Sequence, residues 1–312
     1  MLALATLPPR RAQTARSMSM PADADAASLD DVRVRAAFDR ASGAYDTSAL
    51  LNARVRDELL DRLKLFKLAP SVTLDLGAGT GQAARSLRHT YRNALVIALD
   101  AAPGMLRAAR RHIGIFKKFS RVCADAARLP LATASVDLVF SNLMLQWCSD
   151  LAAPLAEVRR VLKPGGLFAF STFGPDTLKE LRAAWAAADG YSHVNRFLDL
   201  HDVGDALVRA GFAEPVLDVE RVELTYSNSF ALLRDLKAIG SQNATRGRPR
   251  GLMGRSRMDK MCAAYEPFRR GECLPASFEV LYATAWGSSD EPVAAVVDGE
   301  ARIPVSSIRR RT

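Results

Sequence analysis

Short, nearly continuous apolar runs recur along the chain, and between them apolar residues return every three or four positions. The runs at 72–76, 94–100, 121–126, 135–142 and 167–172 read as strands buried on both faces. Longer patterns at 216–226 and 277–286 add two more strands, the last expected antiparallel. Ala83, Ala84, Leu87 and Tyr91 mark one face of a helix. A second helix covers 52–66 with Val55, Leu59, Leu60, Leu63 and Leu65, closed by Pro70. Further helices are expected after an N-cap region at 28–31 (face Val32, Val34, Ala37, Phe38), from Leu143, after Pro175, before Gly211 and at 232–240. Strands alternating with helices predict an α/β fold: a seven-stranded, mostly parallel, doubly wound sheet with helices on both faces.

The first strand runs into Asp75-Leu76-Gly77-Ala78-Gly79-Thr80-Gly81-Gln82. Strand, glycine turn and helix form a nucleotide-binding crossover, where the backbone must take positive φ and approach a ligand closely. A dinucleotide fingerprint would need glycine at position 82, which is Gln82. The pattern present, an acid followed by G-x-G-x-G, resembles the first motif of the class I S-adenosylmethionine methyltransferases. The second strand ends in Asp100, placed about 20 residues past the glycines to accept from ribose hydroxyls. The third ends in Asp125-Ala126; the resemblance puts that acid beside an adenine amino group and the next N–H on a ring nitrogen. The fourth ends at Asn142. Ligands of open α/β sheets lie outside the carboxyl ends of the strands, so Asp75, Gly77, Ala78, Gly79, Gly81, Asp100, Asp125, Ala126 and Asn142 are the expected cofactor set.

Composition narrows the setting. The chain has 312 residues, a net charge of +9, and no apolar run near the roughly 20 residues that span a bilayer. Four scattered cysteines form no C-x-x-C pair, and four histidines have no ligand spacing. They read as reduced thiols and ordinary imidazoles of a cytoplasmic protein, with no metal expected. Residues 1–29, rich in Ala, Arg, Ser and Pro, read as a disordered leader that superficially resembles a transit peptide. Residues 288–312 read as a disordered tail.

The second half carries a more particular set of motifs. Gln146-Trp147-Cys148, Phe173-Gly174-Pro175-Asp176-Thr177-Leu178, Phe197-Leu198-Asp199-Leu200-His201-Asp202, Leu224-Thr225-Tyr226, Leu233-Arg234-Asp235-Leu236-Lys237, and Asn243 with the loop from Arg246 to Leu252 stand in order. Together they resemble the malonyl-acyl carrier protein O-methyltransferases of biotin synthesis. The resemblance spans 32–287 and leaves both tails outside it. The family's lid usually carries Gln where Asn52 stands.

That resemblance implies a Rossmann-like methyltransferase domain over 30–287: an N-terminal lid (30–70), a cofactor half (71–172) and a substrate half with helical lid insertions (173–287). It implies methyl transfer from S-adenosylmethionine to the free carboxylate of a malonyl thioester on an acyl carrier protein, with S-adenosylhomocysteine as product. The chain is expected to be monomeric or weakly associating. Such a carboxylate is ionised at neutral pH, so no strong general base is required. Tyr45, in Phe38-Asp39-Arg40-Ala41-Ser42-Gly43-Ala44-Tyr45-Asp46, either faces the reacting centre or packs under the lid. His201 either reaches the crevice or caps the following helix. Arg196, Arg234, Arg246, Arg248 and Arg250 are candidates for a carboxylate clamp or for docking the acidic carrier. Between Arg234 and Lys260 stand eight Lys/Arg and two Asp, with few aromatics among them, which argues against nucleic acid. The alternatives are another S-adenosylmethionine enzyme, of quinone or respiratory-complex assembly type, and a non-catalytic assembly protein on the same fold.

Overall fold

The structure, a computed structural model, describes residues 28–113, 118–248, 254–288, 295–297 and 300–302. Seven strands form one sheet in the order β3-β2-β1-β4-β5-β7-β6: β1 Val72–Leu76, β2 Leu95–Asp100, β3 Ser120–Cys123, β4 Val136–Asn142, β5 Leu162–Phe173, β6 Phe212–Tyr226 and β7 Leu274–Gly287. The first five are parallel, while β7 runs antiparallel to both β5 and β6. Strand order reverses between β1 and β4, and the crevice at such a switch point is where ligands bind.

Side-chain alternation explains why these runs are almost continuously apolar. Leu138 and Phe140 of β4, with Leu167 and Ala169 of β5, enter one core; Val139, Phe168 and Phe170 enter the other. Three helices pack with the first core: α3 (Leu50–Arg62) through Val55 and Leu59, α4 (Gln82–Thr90) through Ala84 and Leu87, and α7 (Lys179–Ala188) through Leu181 and Trp185. On the opposite face stand α6 (Ala152–Val161), through Leu155 and Val158, and α8 (Leu200–Arg209), through Val203 and Leu207. Both faces are covered, as a parallel sheet requires.

The remaining helices cover the carboxyl ends of the strands or flank them. They are α1 (Asp31–Ala41), α2 (Tyr45–Ser48), α5 (Pro103–Ala108), α9 (Ser229–Ala238) and α10 (Arg255–Tyr265). Asp30 caps α1 by accepting from the Arg33 N–H, and Asn228 caps α9 by accepting from Ala231. The segment before α1 is stitched to the loop after α9. Leu29 bridges Thr245, the Asp30 N–H donates to Ala244 O at 2.9 Å, and the Arg246 N–H donates to Ser28 O at 2.9 Å.

Several sequence expectations shift. Val32 is exposed, because α1 buries Ala37 and Ala41 and turns Val34 and Phe38 towards the crevice. The helix expected from Leu143 is only a 3-10 turn at Leu145–Trp147, since Leu143 itself takes φ +49°, outside the right-handed helical region. Leu178, at φ +54°, delays the helix after Pro175 until Lys179. Within the expected disordered tail, Ala295–Val297 pairs antiparallel with Glu300–Arg302. Asp298-Gly299 between them is a strong hairpin sequence. Ser288, at the start of that tail, accepts from Arg159 Nη2 at 2.6 Å through its backbone oxygen; the rest of the tail and residues 1–27 of the leader lie outside the described residues. Among the described residues no helix is long and apolar enough to cross a membrane.

Candidate active site

The glycine turn is built as its sequence requires. Gly77, Gly79 and Gly81 take φ of +74°, +52° and +78°. The N–H groups of Gly77 and Ala78 both donate to Leu99 O, at 2.8 and 2.9 Å, which locks the turn to the end of β2. A Cβ at Gly77 would meet Met144 Cγ at 2.2 Å, and one at Gly81 would meet Phe119 at 2.9 Å; at Gly79 it would find open space. Gly77 and Gly81 are thus held by packing, whereas Gly79 keeps a surface clear beside the cavity.

That cavity has a volume of about 340 Å³ and lies against the carboxyl ends of β1, β2 and β4. Gly77, Gly79, Asp100, Asp125, Ala126 and Asn142 all line it, so the strand ends do meet in one crevice. Asp100 accepts from the Gly79 N–H through Oδ2 and from the Ala102 N–H through Oδ1, both at 2.8 Å. Burial pushes its pKa up, with those two N–H groups pulling the other way. One hydrogen bond per oxygen leaves further acceptor capacity on each. Asp125 is exposed at the far wall and accepts from Ala127 at 2.9 Å.

A small annex opens beside the turn, lined by Asp75, Ala78, Gly79, Tyr45, Asn52, Arg56, Gln82 and Asn142 among others. Asp75 is 1% exposed, its Oδ2 has no partner, and burial raises its pKa to about 7. Arg56 Nη1 donates to Gln82 Oε1 at 2.6 Å. Arg56 was not evident from the sequence; the one available signal is that it stands four residues after Asn52 on the same helical face. The Ala84 N–H serves the Asp75 carboxylate, which leaves Oδ2 without a partner, and Arg56 also pairs with Asp57 at 2.8 Å. Both groups border the same small space, whose chemistry suits the ammonium and carboxylate of an amino-acid moiety.

The segment that holds Tyr45 and Asp46 lies against this region. Tyr45 lines both spaces, and its Oη accepts from Asn52 Nδ2 at 3.1 Å. Burial, with Asp100 and Asp46 nearby, pushes the Tyr45 hydroxyl well above the usual tyrosine range, so it stays a donor. Asp46 ties the lid to the turn: Thr80 Oγ1 donates to it, and His112 Nε2 lies 3.0 Å away. Burial opposes the Asp46 charge, but hydrogen bonds from Thr80, Gln82 and His112 outweigh it and hold its pKa below the usual range. Cys148 also lines the cavity; burial pushes its thiol up to about 12, which leaves it unreactive.

A second, outer cavity of about 400 Å³ lies under α3, α9 and the segment before α8. Trp147 lines both cavities, with Phe38 edge-on at 5.2 Å, and Asn52 lines the outer cavity and the annex. Trp147 and Asn52 therefore mark the junction. Asn142 is fixed nearby, donating to Asn52 O at 3.0 Å and accepting from Ser171 Oγ at 2.9 Å.

Other expected site residues are placed elsewhere. His201 is exposed in the first turn of α8 and lines neither cavity, because Val203 and Leu207 define the buried face of that helix. Asp199, not His201, caps it, accepting from the Asp202 N–H at 2.8 Å. Arg196, Arg234 and Arg246 are exposed and line neither cavity. Arg248 is half-buried and donates to Thr245 O at 2.9 Å. Long cationic side chains stay with water unless a partner offsets their desolvation. Arg250 lies outside the described residues. Among the described residues, the outer cavity is lined by no lysine or arginine.

Comparison with known proteins agrees with this geometry. A family model described as a methyltransferase domain matches residues 74–170. The chain is 55% identical over 269 residues to a malonyl-acyl-carrier-protein O-methyltransferase of Methylovorus sp., covering 84% of this chain and 91% of that protein. It is 51% identical to the one of Laribacter hongkongensis, covering 86% and 94%. Its fold is similar to that of the YcgJ protein of Bacillus, with a TM-score of 0.54 at 16% identity, over 74% of this chain and 98% of that one. Identity of this extent over nearly the whole length of both relatives is decisive: the chain belongs to the malonyl-acyl-carrier-protein O-methyltransferase family.

Proposed function

We propose that this chain transfers the methyl group of S-adenosylmethionine to the free carboxylate of a malonyl thioester carried by an acyl carrier protein, an early step of biotin synthesis. The observation that carries the reading is the meeting of two cavities at Trp147 and Asn52. The lining of the inner one suits an adenosyl amino acid, and the volume of the outer one, about 400 Å³, suits an acyl thioester. When bound, the cofactor supplies an electrophilic methyl group on a sulfonium. Asp100 would offer acceptors to the ribose, Asp125 and the backbone after it would serve the adenine, and Asp75 with Arg56 would suit the amino-acid end.

A carboxylate oxygen attacks the methyl carbon, the carbon–sulfur bond breaks, and its electron pair stays on sulfur. No proton moves, so a general base is not needed and the exposed position of His201 removes nothing from the reaction. A negative and a positive charge disappear together in this step, and a dry, weakly polar junction favours that outcome over one that solvates the carboxylate strongly. Neutral donors suit it well. The Asn52 amide occupies one lone pair of the Tyr45 hydroxyl, whose proton can then orient a substrate oxygen. Aligning carboxylate, methyl and sulfur is the main task, and such orientation contributes up to roughly 7–11 kcal/mol in favourable cases. Exposed Arg234 and Arg246, near in sequence to the outer-cavity residues Asp235 and Asn243, suit docking of an acidic carrier, which makes turnover salt-sensitive.

The test is transfer of labelled methyl from S-adenosylmethionine to malonyl-carrier protein, run beside succinyl-carrier protein and free malonate. A base-labile methyl ester on the malonyl species alone is the expected result. No transfer to it, with the cofactor still bound by calorimetry, would move the substrate elsewhere.

A further inference from the structure

The end of β5 carries a hydroxyl that the methyl-transfer step does not touch. Ser171 is fully buried, stands opposite Asn142 in the register of β4 and β5, and lines neither cavity nor the annex. Its proton goes to Asn142 Oδ1 at 2.9 Å, and its oxygen accepts from the Leu143 N–H at 3.1 Å. That N–H has a second acceptor in Ser171 O, also at 3.1 Å. The left-handed Leu143 therefore keeps a backbone partner without the hydroxyl. The Asn142 amide does not: among the described residues no other donor reaches its oxygen.

An amide whose oxygen is claimed directs its NH2 the other way. Asn142 Nδ2 donates to Asn52 O at 3.0 Å. Turned over, the amide would set its oxygen against Asn52 O, two acceptors with no proton between them. Asn52 lies in the first turn of α3, and its own Nδ2 donates to Tyr45 Oη at 3.1 Å. One chain of contacts thus runs from Ser171 through Asn142 and Asn52 to Tyr45, from the strand ends to the segment against the junction. It passes through the Asn52 backbone, so it transmits position and not a proton.

We infer that Ser171 is a positioning residue for methyl transfer: its hydroxyl fixes the Asn142 amide, which holds the first turn of α3 and so sets where the Tyr45 hydroxyl meets the substrate carboxylate. This rests on the methyl-transfer reading above and adds to it the residue that sets the geometry of the step. Ser171 acts only through the others, because it borders neither ligand space.

The experiment measures kcat, KM and cofactor Kd on malonyl-carrier protein for Ser171→Ala, Tyr45→Phe and the double variant. Losing the hydrogen bond that orients Asn142 is expected to lower kcat roughly 5- to 10-fold, with KM and the Kd for S-adenosylhomocysteine each within about two-fold. Tyr45→Phe alone should lower kcat at least as far. In the Tyr45→Phe background, Ser171→Ala should cost less than about two-fold more, since residues acting through one another are not additive. Ser171→Thr keeps the hydroxyl and should stay within about two-fold of wild type. Full additivity in the double variant marks a residue that acts without Tyr45 and overturns the inference. An unchanged kcat in either single variant, a fall confined to cofactor affinity, or a loss in Ser171→Thr equal to that of alanine overturns it as well. If Ser171→Ala does not fold, Asn142→Ala breaks the same chain one link further on and is read through the same cycle. A wild type inactive on malonyl-carrier protein sinks the methyl-transfer reading and this inference with it; an active wild type with an additive cycle overturns the inference alone.

Discussion

The two cavities are made in different ways. The inner one is built from backbone and strand ends: three glycines at positive φ, turn N–H groups fixed to Leu99 O, Asp100 at the end of β2 and Asp125 just beyond β3, with Asp75 of β1 in the annex beside it. The outer one is built from side chains of segments far apart in sequence, from Ser48 to Phe278. A backbone site tolerates little, because its shape is the fold itself. A side-chain site can be retuned residue by residue, which lets one sheet architecture accept different substrates.

That contrast is most sharply exposed at Gly77. A valine there would place its Cβ 2.2 Å from Met144 in a left-handed conformation, so Gly77→Val should lose at least about 100-fold in cofactor affinity by calorimetry. Tight binding by that variant would break the distinction. Asp100→Asn comes next. It keeps one acceptor oxygen and loses the charge and the second, for an expected 10- to 100-fold rise in cofactor Kd on the order of a charged hydrogen bond.

Asp75 gives a pH signature of the inner site without ligand. Its folded pKa is about 7, against 3.8 unperturbed. Between about pH 4 and 7 the folded chain keeps a proton that the unfolded chain has released. Stability of the unliganded chain should therefore fall as pH rises through that window, by on the order of a few kcal/mol, then level off above it. Denaturant titrations at a series of pH values measure the slope, and Asp75→Asn should flatten it. The smallest effect is expected at His201: His201→Ala should change kcat/KM for malonyl-carrier protein by less than about two-fold, since an exposed side chain away from both cavities contributes little. A large loss there would return it to the reacting centre.

The inner cavity was legible in the sequence for the same reason it is rigid. Glycine at alternate positions, an acid about 20 residues on, and short apolar runs are local patterns, and each maps to one place in a doubly wound sheet. The outer cavity was legible only through the resemblance: Trp147, Phe173, Phe197, Tyr226 and Asn243 stand in the stretches that carry it, and all of them line the cavity. No local pattern signals that they meet, and Asn195 and Gln242 join them only once β6 has paired with β7 and the segment before α8 has folded over the strand ends. Arginine-rich motifs drew attention because charge is visible in a sequence, whereas the desolvation that keeps Arg196, Arg234 and Arg246 at the surface is a tertiary effect. The helix expected after β4 failed on one backbone angle, the left-handed Leu143, which no composition rule signals.

Methyl transfer requires the two substrates to meet at the junction between the cavities. A crystal structure with S-adenosylhomocysteine and an amide analogue of malonyl-pantetheine would test it most directly. The predicted result places the sulfur in the inner cavity, the arm in the outer one, and the free carboxylate between Tyr45, Asn52 and Trp147 with no arginine in contact. A carboxylate held by an arginine, or an arm lying outside the outer cavity, would contradict it.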